Sequence, residues 1–266
     1  MKRVAGVRGQ FYPQSCIEIE GMIEKWNHIL DQHLKDKNIL TLTPRAIISP
    51  HAGYIYSGFS ANIAHRVLAN SKPKRVIVIG PSHHVYIDGV SGSFMDSYET
   101  PCGDIKIDLE YLQLLKKSFS IGFSPKAHHL EHSTETQMPF IKHYNPDAKV
   151  IELIYGKESY HHLSKIVTYL LKDTQNTLVI STDLSHFYNL KEANTLDQIC
   201  LEGVAKRDIS ILERGCEACG IIGVKAIIES CNILGLKTKL LDYRTSADAS
   251  GDENRVVGYM SALILK

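Results

Sequence analysis

The chain has 266 residues, 44% of them apolar and 22% charged, with a formal net charge of +1. So even a balance argues against a nucleic-acid or anionic-membrane partner, which would call for a clustered excess of Lys and Arg. No apolar run is long enough to span a bilayer. The opening "MKRVAGVRGQFYPQS" lacks the apolar stretch of a secretion signal.

Short β-rich runs alternate with stretches of helical period. In chain order the pattern predicts a helix over 17–34, a strand over 46–49, a helix over 60–69, a strand over 76–79 and a helix over 109–117. A strand over 150–154, a helix over 161–172 and a strand over 178–181 follow. Helices over 191–206 and 216–234 and strands over 237–243 and 256–264 complete the series, with Gly80, Gly156 and Gly235 at element ends. Strands apolar on both faces need helices on both sides. The expected fold is α/β: a single-domain α/β/α sandwich around a mostly parallel sheet, spanning 1–266, since no break in composition divides the chain.

Three of these strands end alike. "AIISPHAGYIYSG" places His51 just past its strand, "VIVIGPSHH" places His83 and His84 past the next, and "LVISTDLSHF" places Asp183 and His186 past a third. Ligands of open α/β sheets gather outside the carboxyl ends of the strands, so these side chains are expected at the mouth of one cleft. "HHLEHSTETQMPF" adds His132 and Glu135, three apart and on one face if helical. "SADASGDENRVVGY" offers Asp248 and Asp252 before the last strand. Neutral imidazoles with a carboxylate suit a non-haem Fe(II) centre, and similar sets hold zinc or copper. Each residue taken singly has a blander use: His84 in orienting His83, Asp183 in capping the segment that follows it.

Six cysteines are spread through a chain too large to need staples, so free thiols in a reducing, cytoplasmic compartment are expected. Cys216 and Cys219 have the spacing of a redox or zinc half-site, but no second pair follows, and buried thiols opening an apolar helix are the simpler expectation. "TPCGD" at 100–104 looks like a structural turn. No phosphate loop, dinucleotide fingerprint or G-x-S-x-G elbow is present.

Taken together, "RGQFYP", "PHAGYIYSG", "GPSHH", "TPCGD", "EHSTETQMPF", "STDLSH", "ACG" and the terminal "VVGY", in this order, make the chain resemble the Memo family, called AmmeMemoRadiSam system protein B in prokaryotes. The resemblance implies a fold similar to that of type III extradiol dioxygenases, which open catechol rings with Fe(II) and oxygen. It implies His51 and His83 as metal-cleft histidines, and Asp183 with His186 as the family's D-x-x-H pair, His186 standing where the dioxygenases keep an acid–base histidine. Iron is the implied metal, with copper also attributed to animal relatives. Those relatives are expected to carry a cysteine ligand before the last strand. Here Ala249 stands about where it would fall, which leaves Asp248 as the nearest third ligand and disfavours copper(I).

Three functions fit these residues. The first is a metal-dependent oxidoreductase: Fe(II) on His51, His83 and Asp248, with His186 moving a proton under the orientation of Asp183. His84, His132 and Glu135 would stand around the cleft. The second is a binding or adaptor module that keeps the cleft for a peptide, as the family's animal signalling role implies. The third is a zinc hydrolase, which lacks an H-E-x-x-H motif to support it. The cleft's partner is a small molecule or a peptide in each case.

Overall fold

The computed structural model describes residues 1–266. Its large sheet runs in the order β10 (His186–Tyr188), β12 (Val256–Leu265), β2 (Ala46–Ser49), β9 (Asn176–Ser181), β3 (Arg75–Pro81), β8 (Lys149–Tyr155), β4 (Val90–Gly92) and β7 (Ile121–Gly122). A further strand, β11 (Lys237–Thr245), also pairs with β12. A small sheet joins β1 (Lys2–Arg3), β5 (Ser97–Tyr98) and β6 (Ile105–Lys106).

The central strands β2, β9, β3 and β8 are parallel, as their continuous apolar runs require. The flanks differ from the expectation: β12 is antiparallel to β2, and β4 is antiparallel to β8. The sheet is therefore mixed: parallel through its core and again between β4 and β7 at one edge, with antiparallel joints at β12 and between β4 and β8.

Side chains of the central strands alternate between two cores. Ile48, Ile77, Ile79, Ile151 and Ile180 face the larger, which has 33 buried residues. There they meet Leu163 and Ile166 of helix Tyr160–Lys172 and Val224 and Ile227 of helix Ile221–Leu234. Ile47, Val76, Val78, Val150 and Val179 face the other way. They pack on Ala64 and Val67 of helix Tyr54–Leu68 and on Met138 and Ile141 of helix Met138–Tyr144. Each side chain so buried contributes about 1.5–3 kcal/mol, and the pattern is the α/β/α sandwich the sequence implies. A third cluster lies under helix Cys16–His33, which a Ser15–Glu18 capping box starts. Ile19, Ile23 and Trp26 of that helix pack on Tyr12, Tyr54 and Phe140.

The cysteines depart from expectation. Cys16 pairs with Cys102 and Cys200 with Cys216, which leaves Cys219 and Cys231 as thiols. Partners 86 and 16 residues apart meet only through tertiary structure, so the compartment rule had no means of anticipating them. Cys216 also does not open a helix. That helix begins at Ile221, because 216–220 is held as a loop by the Cys200 bond and by Gly220 N–H donating to Thr182 Oγ1 at 2.9 Å.

Candidate metal centre

Strand register brings the site together. β2 and β9 align Ser49 with Ser181, so the residues two further on, His51 and Asp183, emerge side by side. The Asp183 carboxylate locks this by accepting His51 N–H at 2.8 Å. β3 lies on the other side of β9 and delivers His83 just past Pro81. A short helix, His132–Glu135, is pinned to both strands: Ser133 Oγ donates to Pro81 O at 2.7 Å, and Ser133 O accepts from Ser181 Oγ at 2.5 Å. Three imidazoles result. His51, His83 and His132 have nitrogens all within 4.8 Å of one another, and ring centroids 4.4–5.3 Å apart.

The hydrogen bonds behind two of these rings decide which nitrogen each presents. Ser181 Oγ gives its proton to Ser133 O and therefore accepts from His51 Nδ1–H, 3.0 Å away. Glu131 is completely buried and accepts His83 N–H at 2.6 Å, His83 Nδ1–H at 2.8 Å and Ser133 N–H at 3.0 Å. In both rings Nδ1 donates, which makes Nε2 the nitrogen with a lone pair to offer, bare in His83 and met by the Cys219 sulfur in His51. Such outer partners commonly fix a metal-binding imidazole.

Electrostatics agree. Burial, then the neighbouring His83 charge, holds His51 well below its usual value. Burial, then the charges of His51 and His83, brings His132 down to about 3. Burial alone would push the Glu131 carboxyl up, but its hydrogen bonds from His83 prevail and bring it down to about 2. His51 and His132 are thereby held neutral, the donor state a cation requires, and a carboxylate stands behind His83.

A sulfur also reaches this point. Cys219 Sγ lies 3.3 Å from His51 Nε2 and accepts Asp183 N–H at 3.3 Å. Gly220 makes the approach possible, since a Cβ there would stand 2.8 Å from Ser181 O and 2.7 Å from Thr182 side-chain atoms. Burial, then the Asp183 carboxylate, pushes the thiol up to about 12. Asp183 itself is raised by burial, against the hydrogen bond from His51 N–H. A cavity of about 410 Å³, lined by His83, His84, Tyr86, Tyr155, Cys219 and Ile222 among others, opens beside the cluster. A larger one of about 540 Å³ lies at the opposite end of β3, where Arg75 and Lys149 pair with Asp108 and no histidine or cysteine is present.

The profile of the family described as "Memo-like protein" matches residues 3–263. The chain belongs to the Memo family. Proteins named "MEMO1 family protein" are similar along their whole length. One from Desulfurococcus amylolyticus is 31% identical, covering 97% of each chain, and one from Aquifex aeolicus is 29% identical, covering 99% of each. MEMO1 family protein MK0963 of Methanopyrus kandleri is 32% identical, covering 97% of each.

The other expected site residues of this Memo chain fall differently. Asp248 is exposed, and its carboxylate accepts Thr245 N–H at 2.7 Å as the cap of its own short turn, so it does not join the three imidazoles. With it goes the argument from Ala249, because the sulfur arrives from another loop as Cys219. Glu135 is fully buried but turned away from the cluster: it accepts Gly6 N–H, Val7 N–H and Tyr12 O–H at 2.7–2.8 Å and pairs with Arg3 at 3.0 Å. Its effect on the site is indirect, through the N-terminal arm that stacks Phe11 on His132 with centroids 4.5 Å apart. His84 is exposed, its ring 5.6 Å from that of His132, and the orienting of His83 belongs to Glu131. His186 is near enough for its charge to act on His51 and Asp183, but the carboxylate of Asp183 is engaged by His51 N–H rather than aligned on the His186 ring. Glu131 and Cys219 were the residues missed. Their signals were the first letter of "EHSTE" and the "ACG" triplet.

Proposed function

We propose that this Memo family protein is a metal-dependent oxidoreductase whose centre takes a redox-active transition ion, iron first, on Nε2 of His51 and His83. The observation that supports this best is the pair of fixed tautomers: Ser181 and Glu131 each occupy Nδ1, so Nε2 is the nitrogen each ring has for a ligand, bare in His83 and met only by the Cys219 sulfur in His51. His132 and the Cys219 sulfur are the donors within reach for a third bond. Bound there, the ion supplies electron transfer and polarises a substrate oxygen.

The remaining chemistry falls to the chain. His186 takes and returns the substrate proton, a role suited to an imidazole near neutral pH. Asp183 holds the His51 backbone and the Cys219 sulfur in register. Phe11, stacked on His132, walls one side of the cluster. The sulfur favours a second metal: a nitrogen and thiolate set suits copper as well as iron.

Anaerobic reconstitution with Fe(II), followed by oxygen-uptake assays over a panel of catechols, tests the proposal. Uptake is expected from the loaded protein and not from His83→Ala. His186→Ala should keep its iron while turnover falls about 10²–10⁴-fold. A fully loaded protein that consumes no oxygen with any catechol would reject the oxidoreductase function and leave the peptide-binding one, with the zinc hydrolase behind it.

A further inference from the structure

We propose that Cys16, Glu20 and Cys102 form a second cation site, specific for a thiophilic divalent ion of the Zn²⁺ class, which the chain fills when the Cys16–Cys102 disulfide is reduced. Donor atoms of the three side chains lie within 4.8 Å of one another. In the structure the two sulfurs are bonded to each other, so on reduction they must separate to just under about 4 Å, the spacing that Zn–S bonds of about 2.3 Å set between tetrahedral ligands. A bound water or a second carboxylate oxygen completes the four.

The local backbone that carries each donor is set without the sulfur–sulfur bond. Cys16 is the first residue of helix Cys16–His33, whose start is set by the reciprocal Ser15–Glu18 cap. Glu20 follows one turn later on the same face. Cys102 sits in a turn that Thr100 holds on its own: Thr100 Oγ1 donates to Gly103 O at 2.6 Å and accepts Cys102 N–H at 3.2 Å. Both cysteines are half-buried, within reach of a reductant and of an ion. A position at a helix N-terminus also favours the thiolate that a metal binds.

The chemistry balances with a dithiol as reductant. The disulfide gains two electrons and two protons, the dithiol closes to its own disulfide, and the incoming cation displaces both protons to bind two thiolates. The chain thus exchanges one cross-link for another at the same place. What the cross-link secures is the N-terminal arm. The arm is tied at one end by the pairing of β1 with β5, and Cys16 ties it at the other to the turn that follows β5. Between them lies Phe11, against His132. The site needs neither His51 nor His83, so it stands or falls separately from the oxidoreductase proposal.

Co²⁺ is the probe, titrated into reduced Cys219→Ser protein so that the only thiol at the imidazole cluster is gone. A thiolate-to-cobalt charge-transfer band is expected, displaced by Zn²⁺, absent from the unreduced protein and absent from reduced Cys219→Ser/Cys102→Ser. Should the double variant fail to melt cooperatively, Glu20→Gln in the Cys219→Ser chain decides instead, keeping the band while affinity falls by about tenfold. The proposal is overturned if the reduced protein gives no such band, if the band persists without Cys102, or if Glu20→Gln leaves affinity unchanged.

Discussion

Two histidine–glutamate pairs in this protein are chemically alike and do different things. His83 with Glu131 and His128 with Glu152 both place Nδ1 2.8 Å from a carboxylate oxygen. Beyond that they part. His128 is fully buried, its Nε2 meets Ser91 Oγ at 3.0 Å, and Glu152 also receives Tyr98 and Thr134 hydroxyls. His83 keeps 27% of its side chain exposed and leaves Nε2 without a protein partner beside two other imidazoles. A carboxylate behind an imidazole is therefore not enough to make a ligand; the far nitrogen must be free and must converge with others. The same contrast disposes of a serine nucleophile. Ser91, His128 and Glu152 line up as nucleophile, base and acid would, yet Ser91 is 1% exposed and no substrate reaches it.

The sharpest way to break the comparison is to delete one ring from each pair. His83→Ala should drop bound iron from near one per chain to background by elemental analysis, whereas His128→Ala should retain it. Next in size, Glu152→Ala should cost about 3–5 kcal/mol of stability in urea unfolding, because it strands partners in a closed core, with metal affinity unchanged. Glu131→Gln should do the reverse: iron affinity falls about 10–100-fold as His83 loses its anchor.

The smallest effect concerns a histidine of a third kind. His65 is sealed, bonded through Nε2 to Gln137, and burial lowers it to about 4 from 6.5 against that hydrogen bond. Its folded pKa lies below the unfolded one, so on acidification the unfolded chain takes up the proton first. Its contribution is complete above pH 6.5 and is lost as pH falls towards 4, about 1 kcal/mol between pH 7 and 5.5. Urea midpoints for wild type and His65→Leu over that range should show the slope in the former alone; parallel slopes would contradict the assignment.

Much of this was legible in the residues. The strand over 46–49 coincides with β2, and the apolar runs of 76–79, 150–154 and 178–181 lie inside β3, β8 and β9. A buried parallel core announces itself by unbroken β-branched runs. The strands between 90 and 122 are two or three residues long and carry no period to read. In the site, His51 and His83 stood out because each follows a strong strand. His132 follows none, and only the anchoring of Ser133 to β3 and β9 reveals its place. Cys219 was hidden by an apolar pattern that runs on from 216 into the helix, while Asp248 looked available because sequence does not show a carboxylate capping its own turn.

The central claim is that His51 and His83 meet a single ion through Nε2. Anomalous diffraction from crystals loaded anaerobically with Fe(II), collected above the iron edge, tests it directly. The account predicts one peak about 2.1 Å from both Nε2 atoms, with Ser181 and Glu131 still on Nδ1. A peak bonded to either Nδ1, or one lying away from this cluster, would contradict it.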